Sequence, residues 1–86
     1  DLYGTLSAYL QKRHGVRVKL MPVEVMGTTV RRYDRHSKRV LISEMLPPPG
    51  RSFQLAAQIA LLKHRDLLTA IVERAGFSNE GAKRLA

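Results

Sequence analysis

The stretch Ser52-Phe-Gln-Leu-Ala-Ala-Gln-Ile-Ala-Leu-Leu-Lys63 decides how the rest of the chain is read. Apart from Gln54 and Gln58 it is apolar on every side from Phe53 to Leu62, which predicts a helix buried in a core rather than a surface helix. Ser52 suits its N-cap, the helix runs to roughly Lys63, and His64 near its C-terminal end fits the helix dipole. Gln54 and Gln58 lie four residues apart and share a face, where they either line a pocket or pair with backbone groups.

Outward from this segment, Pro47-Pro48-Pro49-Gly50 reads as a stiff connector that continues neither a helix nor a strand ladder. Upstream, Thr28 to Tyr33 and Arg39 to Ser43 are rich in strand-forming residues. The polar turn residues Asp34 to Ser37 separate them, so the pair reads as a hairpin. Val16, Val18 and Leu20 alternate with Arg17 and Lys19, the pattern of a half-buried strand. Leu2, Leu6, Tyr9 and Leu10 recur at helical spacing, and Gly15 ends that helix. Downstream, Asp66 is a candidate cap for a helix ending at Gly76, with Phe77 as its hydrophobic C-cap contact, and Ser78 for a helix running to the chain's end.

The expected fold class is therefore α+β in the order α, β, β, β, α, α, α. An N-terminal helix (1–14) leads into a small three-stranded sheet with a β-hairpin (16–44), followed by a buried central helix and two further helices (51–86). With 86 residues the chain has room for one domain, and a domain of that size buries a modest share of its surface. The absence of an initiator Met and the helical pattern at Ala86 lead us to expect a single partial domain cut from a larger protein.

Hydrophobic content of 44% and charged content of 26% are ordinary for a globular chain. The charge balance is not: fifteen Lys and Arg against seven Asp and Glu give +8, which attracts phosphates, anionic cofactors, nucleic acid or acidic partners. With no cysteine there is no disulfide, thiolate metal site or thiol nucleophile. No apolar run reaches the ~20 residues of a membrane span and no signal peptide opens the chain, so a cytoplasmic, membrane-free location is expected.

Chemistry-bearing residues are sparse. His14, His36 and His64 lack a second ligand at helical i, i+3 or i, i+4 spacing and read as solvated turn or cap residues, so no metal site is expected. Ser7, Ser37, Ser43, Ser52 and Ser78 lie outside any G-x-S-x-G elbow, and there is no glycine-rich phosphate loop. The densest local feature is basic: Arg31, Arg32, Arg35, Lys38 and Arg39, interrupted by Tyr33 and Asp34. Arg31 and Tyr33 project from one face of their strand and Arg32 from the other. Either these cations solvate a strand edge and keep it from aggregating, or they grip phosphate while Tyr33 stacks on a base.

The run VRRYDRHSKRVLISEMLPPPGRSFQLAAQIALL, Val30 to Leu62, resembles the ImmA/IrrE family of zinc peptidase-like domains, in the branch found in short-chain fatty-acid and propionate-type regulators. Active relatives follow a strand pair with a helix carrying a phenylalanine or similar residue, Leu-Ala and then His-Glu-x-x-His. Placing Leu55 and Ala56 on that Leu-Ala sets Ala57 at the first ligand His, Gln58 at the catalytic Glu and Leu61 at the second His. Ala and Leu offer zinc no lone pair, and Gln does not take a proton from a metal-bound water, so no peptidase activity is expected.

The resemblance implies a truncated zincin-like scaffold within a cytoplasmic transcription regulator whose separate helix-turn-helix domain binds DNA. It also implies a sensor of acyl-CoA or short-chain fatty-acid metabolites. No cofactor is expected within these residues themselves, and an acyl-CoA-type ligand belongs to the longer protein. The candidate phosphate-binding residues are Arg31, Arg32, Tyr33, Arg35, Lys38 and Arg39. A homo-oligomer is compatible with the apolar faces that truncation would expose. The competing expectation is a direct nucleic-acid-binding module using the basic hairpin, though five aromatics with no RNA-binding motif give it little further support.

Overall fold

The structure, a computed structural model, describes residues 1–76. Helix α1 (Leu2–Tyr9) starts where the Asp1 carboxylate accepts the Gly4 amide at 3.1 Å. It widens into one π-helical turn, Leu10–His14, and stops at Gly15, whose φ of 67° favours a residue without Cβ. The Val16 amide then reaches back to the Leu10 carbonyl at 3.0 Å, and both side chains enter the core. The helix end at Gly15 is the one that the sequence predicts, and the contact between Leu10 and Val16 adds a hydrophobic closure to it.

Three strands follow: β1 (Arg17–Met21), β2 (Arg31–Asp34) and β3 (Arg39–Ser43). The expected hairpin is present as the antiparallel pair β2 and β3, with Tyr33 opposite Val40 and Arg32 opposite Leu41. Strand β1 runs parallel to β3 on its other side, which makes β3 the centre of a mixed sheet. The predicted strand start at Thr28 is corrected to Arg31. Between β1 and β2 lies a short helix that periodicity missed, α2 (Val23–Met26), because its two valines read as strand formers. Pro22 caps it, its carbonyl accepting the Val25 and Met26 amides at 3.0 and 3.1 Å.

The C-terminal half differs most from expectation. The Pro tract does not stop short of the helix: α3 runs unbroken from Pro48 to Arg74, with Pro47 as its N-cap residue. The first helical positions have no intrahelical acceptor for their N–H groups, so Pro48 and Pro49 lose nothing there, and their fixed φ favours the helix. Ser52 is inside the helix, not at its cap, and Asp66 starts no new one. Two of the expected helices are one, which leaves α1, α2 and α3 among the described residues. The proposed Phe77 contact and Ser78 cap lie outside those residues.

One face of the sheet meets α1 and α3 around Leu10, Val16, Val40, Ile42 and Leu55, with Tyr3, Leu6, Val18, Tyr33, Leu46, Ile59 and Leu62 packed against them. Arg51 ties the loop before α3 to the helix, donating to the carbonyls of Leu46 at 2.7 Å and Glu44 at 2.8 Å. The expectation of a central helix buried on all sides is corrected: only Ser52, Leu55 and Gln58 of α3 are buried. Phe53, Leu61, Leu67 and Ile71 are each more than half exposed. The sheet and α1 cover a single side of α3, so the apolar residues on its other side have no partner among the described residues.

Candidate functional site

Two places carry the functional expectations, the expected His-Glu-x-x-His positions on α3 and the basic residues of the sheet. On α3, Ala57 is half-buried, Gln58 is buried and Leu61 faces solvent. Ala57 and Leu61 share a helix face by their spacing, as two zinc ligands on one helix would. Neither side chain has a donor atom for a metal. No group of three His, Asp or Glu close enough to hold a metal occurs among the described residues. Of the paired glutamines, Gln58 is buried, and the backbone carbonyl of Gln54 accepts a hydrogen bond from the Arg31 guanidinium at 3.1 Å.

The six basic-hairpin candidates do not converge. Arg31 and Tyr33 turn toward α3: Arg31 donates to Gln54, and Tyr33 packs against the core. Their cross-strand partners Ile42 and Val40 are fully buried on that side. Arg32 and Arg39 sit on the opposite, open face, since the residues of a strand alternate sides. Arg35 and Lys38 lie in the connecting turn, with Lys38 at a φ of 54°.

That turn is held by Asp34, whose Oδ1 accepts the His36 amide at 3.0 Å and the Ser37 amide at 3.3 Å. The Ser37 side chain, then the Ser37 amide and the His36 amide, hold the Asp34 carboxyl below its ordinary 3.8, against a weaker opposing effect of burial. Because the folded value is depressed, the stabilisation of the turn is present above 3.8 and is lost as pH falls through the lower folded value. In an NMR titration the His36 and Ser37 amide shifts are expected to move together with a midpoint below 3.8, and a midpoint at or above it contradicts the assignment. Arg39 is oriented by the same turn, donating from Nε to the Ser37 hydroxyl at 3.1 Å.

The register adds residues that the sequence did not single out as a site. Arg17 lies directly beside Arg39, and Lys19 beside Leu41, across the parallel β1 and β3 pair. Arg17, His36, Ser37, Lys38 and Arg39, with Gly15, line a shallow polar depression at this end of the sheet. Strand alternation shows Arg17 and Lys19 on one side of β1. It does not show that β1 pairs with β3, which is what unites them with Arg39 and Arg32.

The histidines divide. His36 is exposed in the turn as expected, and His64 is exposed in the middle of α3 rather than near a helix end. His14 departs from the solvated reading: its Nε2 is buried and without a hydrogen-bond partner, and its ring meets Tyr9 edge-on at 5.9 Å. Lys63 Nζ in turn stands 5.3 Å from the centre of the Tyr9 ring, so α1 and α3 meet partly through a cation–π contact. A groove between the start of α1 and the start of α3 is lined by Leu2, Tyr3, Pro48, Pro49, Phe53 and Ala56 among others, and its walls are mostly apolar.

Comparison with known proteins gives consistent results. Residues 11–86 match the family model described as the IrrE N-terminal-like domain. Across all 86 residues the chain is 33% identical to the HTH-type transcriptional regulator RamB of Mycobacterium tuberculosis, in both the CDC 1551 / Oshkosh and ATCC 25618 / H37Rv strains. It spans 18% of the length of that regulator. A solved structure titled Mycobacterium tuberculosis transcriptional regulator superimposes over 99% of this chain and 26% of its own, with a TM-score of 0.70 and 29% identity.

Proposed function

This chain belongs to the IrrE N-terminal-like domain family, and we propose that it serves as a non-catalytic, ligand-responsive domain of a transcription regulator. The reading is carried by the composition of α3, where we place Ala57, Gln58 and Leu61 at the positions of a metal-binding His-Glu-x-x-His. Nothing at those three positions holds zinc or activates water. The helix that would position such groups is present, with Leu55 packed against Val40 and Ile42 of the sheet and Gln58 buried.

Similarity to the regulator RamB along the whole chain supports placing the domain in a longer transcription factor. The ligand class that we propose is an acyl-CoA or short-chain acyl metabolite. The groove between α1 and α3 offers an apolar wall for an acyl chain, and the net charge of +8 favours the phosphates of such a molecule. Preferential binding to one arrangement of the regulator would shift its population toward that arrangement and so alter how attached DNA-binding domains are presented.

The test is calorimetric titration of the longer regulator with acetyl-, propionyl- and longer acyl-CoA esters. Saturable binding of at least one ester is expected, weakened when Phe53 is replaced with Asp in the groove. No heat with any ester removes the metabolite-sensing part of the proposal.

A further inference from the structure

The face of the sheet turned away from the helices carries cations in two rows. One row runs Arg17, Arg39, Asp34 and the other Lys19, Leu41, Arg32, each in register across β1, β3 and β2. Arg17, Lys19, Arg32 and Arg39 are all exposed, and Leu41 between them is half-buried. The carboxylate in this array, Asp34, is directed to the turn amides of His36 and Ser37. Two arginines placed directly beside each other repel, and such a pair on a sheet is a cost to folding unless an anion joins it.

We propose that this open face binds the phosphate backbone of double-stranded DNA, through Arg17, Lys19, Arg32 and Arg39. Charge complementarity and layout favour that partner. Neighbouring strands are about 5 Å apart and alternate residues on one strand about 7 Å apart, so the four cations span all three strands. A single phosphate touches one adjacent pair, such as Arg17 and Arg39. Occupying all four needs a row of phosphates, and a duplex supplies one on each strand about every 3.4 Å of its axis.

Among the described residues the face offers no aromatic side chain to stack on unpaired bases, because Tyr33 is turned into the core, and this favours a duplex over a single strand. Contacts of this kind carry no sequence information. They would add affinity and orientation to a regulator that reads its operator elsewhere. The surface is separate from α3 and its groove, so the proposal stands independently of the metabolite reading.

The experiment measures binding of the 86-residue chain to a fluorescent duplex of arbitrary sequence by anisotropy, between 50 and 200 mM salt. Four phosphate contacts give a slope of log K against log salt near −3.6, hence about a hundredfold loss across that range. R17T, K19T, R32T and R39T are each expected to make the slope shallower by about 0.9, and the four together to abolish binding. A control variant removing four cations off the sheet, K12Q/R13Q/R65Q/R74Q, is expected to keep a slope close to that of the unaltered chain. Circular dichroism and thermal unfolding identify any variant that fails to fold, and R17K/R32K/R39K, which keeps the charges, is expected to retain binding.

Three outcomes overturn the proposal. One is no binding of the unaltered chain at 50 mM salt. Another is equal weakening by the sheet and control variants, which would assign the attraction to diffuse net charge. The last is complete displacement of the duplex by inorganic tripolyphosphate at equal phosphate concentration, which would assign the face to small phosphate ligands.

Discussion

Replacing Leu55 with alanine is expected to cost about 2–5 kcal/mol, the usual penalty for a cavity left by a fully buried leucine. Leu55 is 0% exposed and belongs to the same cluster as Val40 and Ile42 of the central strand and Leu10 and Val16 of the α1 end. One side chain thus joins α3 to both other parts of the core. A chain of this length has a total stability of roughly 4–13 kcal/mol, so the loss approaches the whole in the lower part of that range. Urea unfolding followed by circular dichroism is the measurement, and the midpoint is expected to fall in proportion to the stability lost. Leu67→Ala is the control: Leu67 is 58% exposed, and its replacement is expected to change stability by no more than about 0.5 kcal/mol. Equal losses for the two variants would contradict the core described here.

The contrast between Leu55 and Leu67 marks the limit of what the sequence conveys about this fold. Local signals were sufficient for α1 with its end at Gly15, for β1 by alternation, and for the hairpin around Asp34. Each depends on interactions within a few residues: a left-handed glycine, a two-residue period, and an aspartate accepting the amides just after it. The extent of α3 was obscured because prolines are breakers in a helix interior and harmless in its first turn, and the spacing alone does not say which applies at Pro48 and Pro49. Asp66 illustrates the converse, a good capping residue in the middle of a helix whose continuity makes a cap unnecessary.

Burial and pairing were less legible still. Apolarity around all of 53–62 shows what the side chains prefer, not how many neighbours surround them. Among the described residues α3 has the sheet and α1 on one side, so Leu55 is enclosed while Phe53 and Leu61 meet solvent. The basic residues follow the same logic. The sequence shows two groups, Arg17 with Lys19 and Arg31 through Arg39, separated by Pro22 and Gly27. Only the parallel β1 and β3 pairing places Arg17 beside Arg39, and only the covering of one sheet face removes Arg31 and Tyr33 from the exposed set. Non-local pairing decides both, and no local pattern encodes it.

The placement of Ala57, Gln58 and Leu61 at a His-Glu-x-x-His rests on residue types alone, and the geometry of α3 permits a direct trial of it. Returning histidine to the two ligand positions, A57H/L61H, is expected to turn a chain with no stoichiometric zinc into one that retains it after dialysis. Positions four apart on a helix bring their side chains over one another, about 5–6 Å between Cβ atoms, within the reach of two imidazoles around one zinc at about 2.0–2.1 Å from each nitrogen. His64, three residues beyond Leu61 and exposed, adds a third imidazole on the same side. Gln58 is best left unchanged, because it is 4% exposed and a carboxylate there would have to be ionised without solvent. Peptidase activity is accordingly not expected from the double variant, only metal binding. Calorimetry at neutral pH is expected to show a gain in zinc affinity of at least tenfold over the unaltered chain, and the gain should disappear as pH falls below about 6.5, where imidazole takes up a proton instead of a metal. The single variant A57H is the control, since its nearest histidine on that face, His64, is two turns away. Zinc uptake by the unaltered chain, or no gain in the double variant while its helix remains intact by circular dichroism, would show that Ala57 and Leu61 are not the vacated ligand positions.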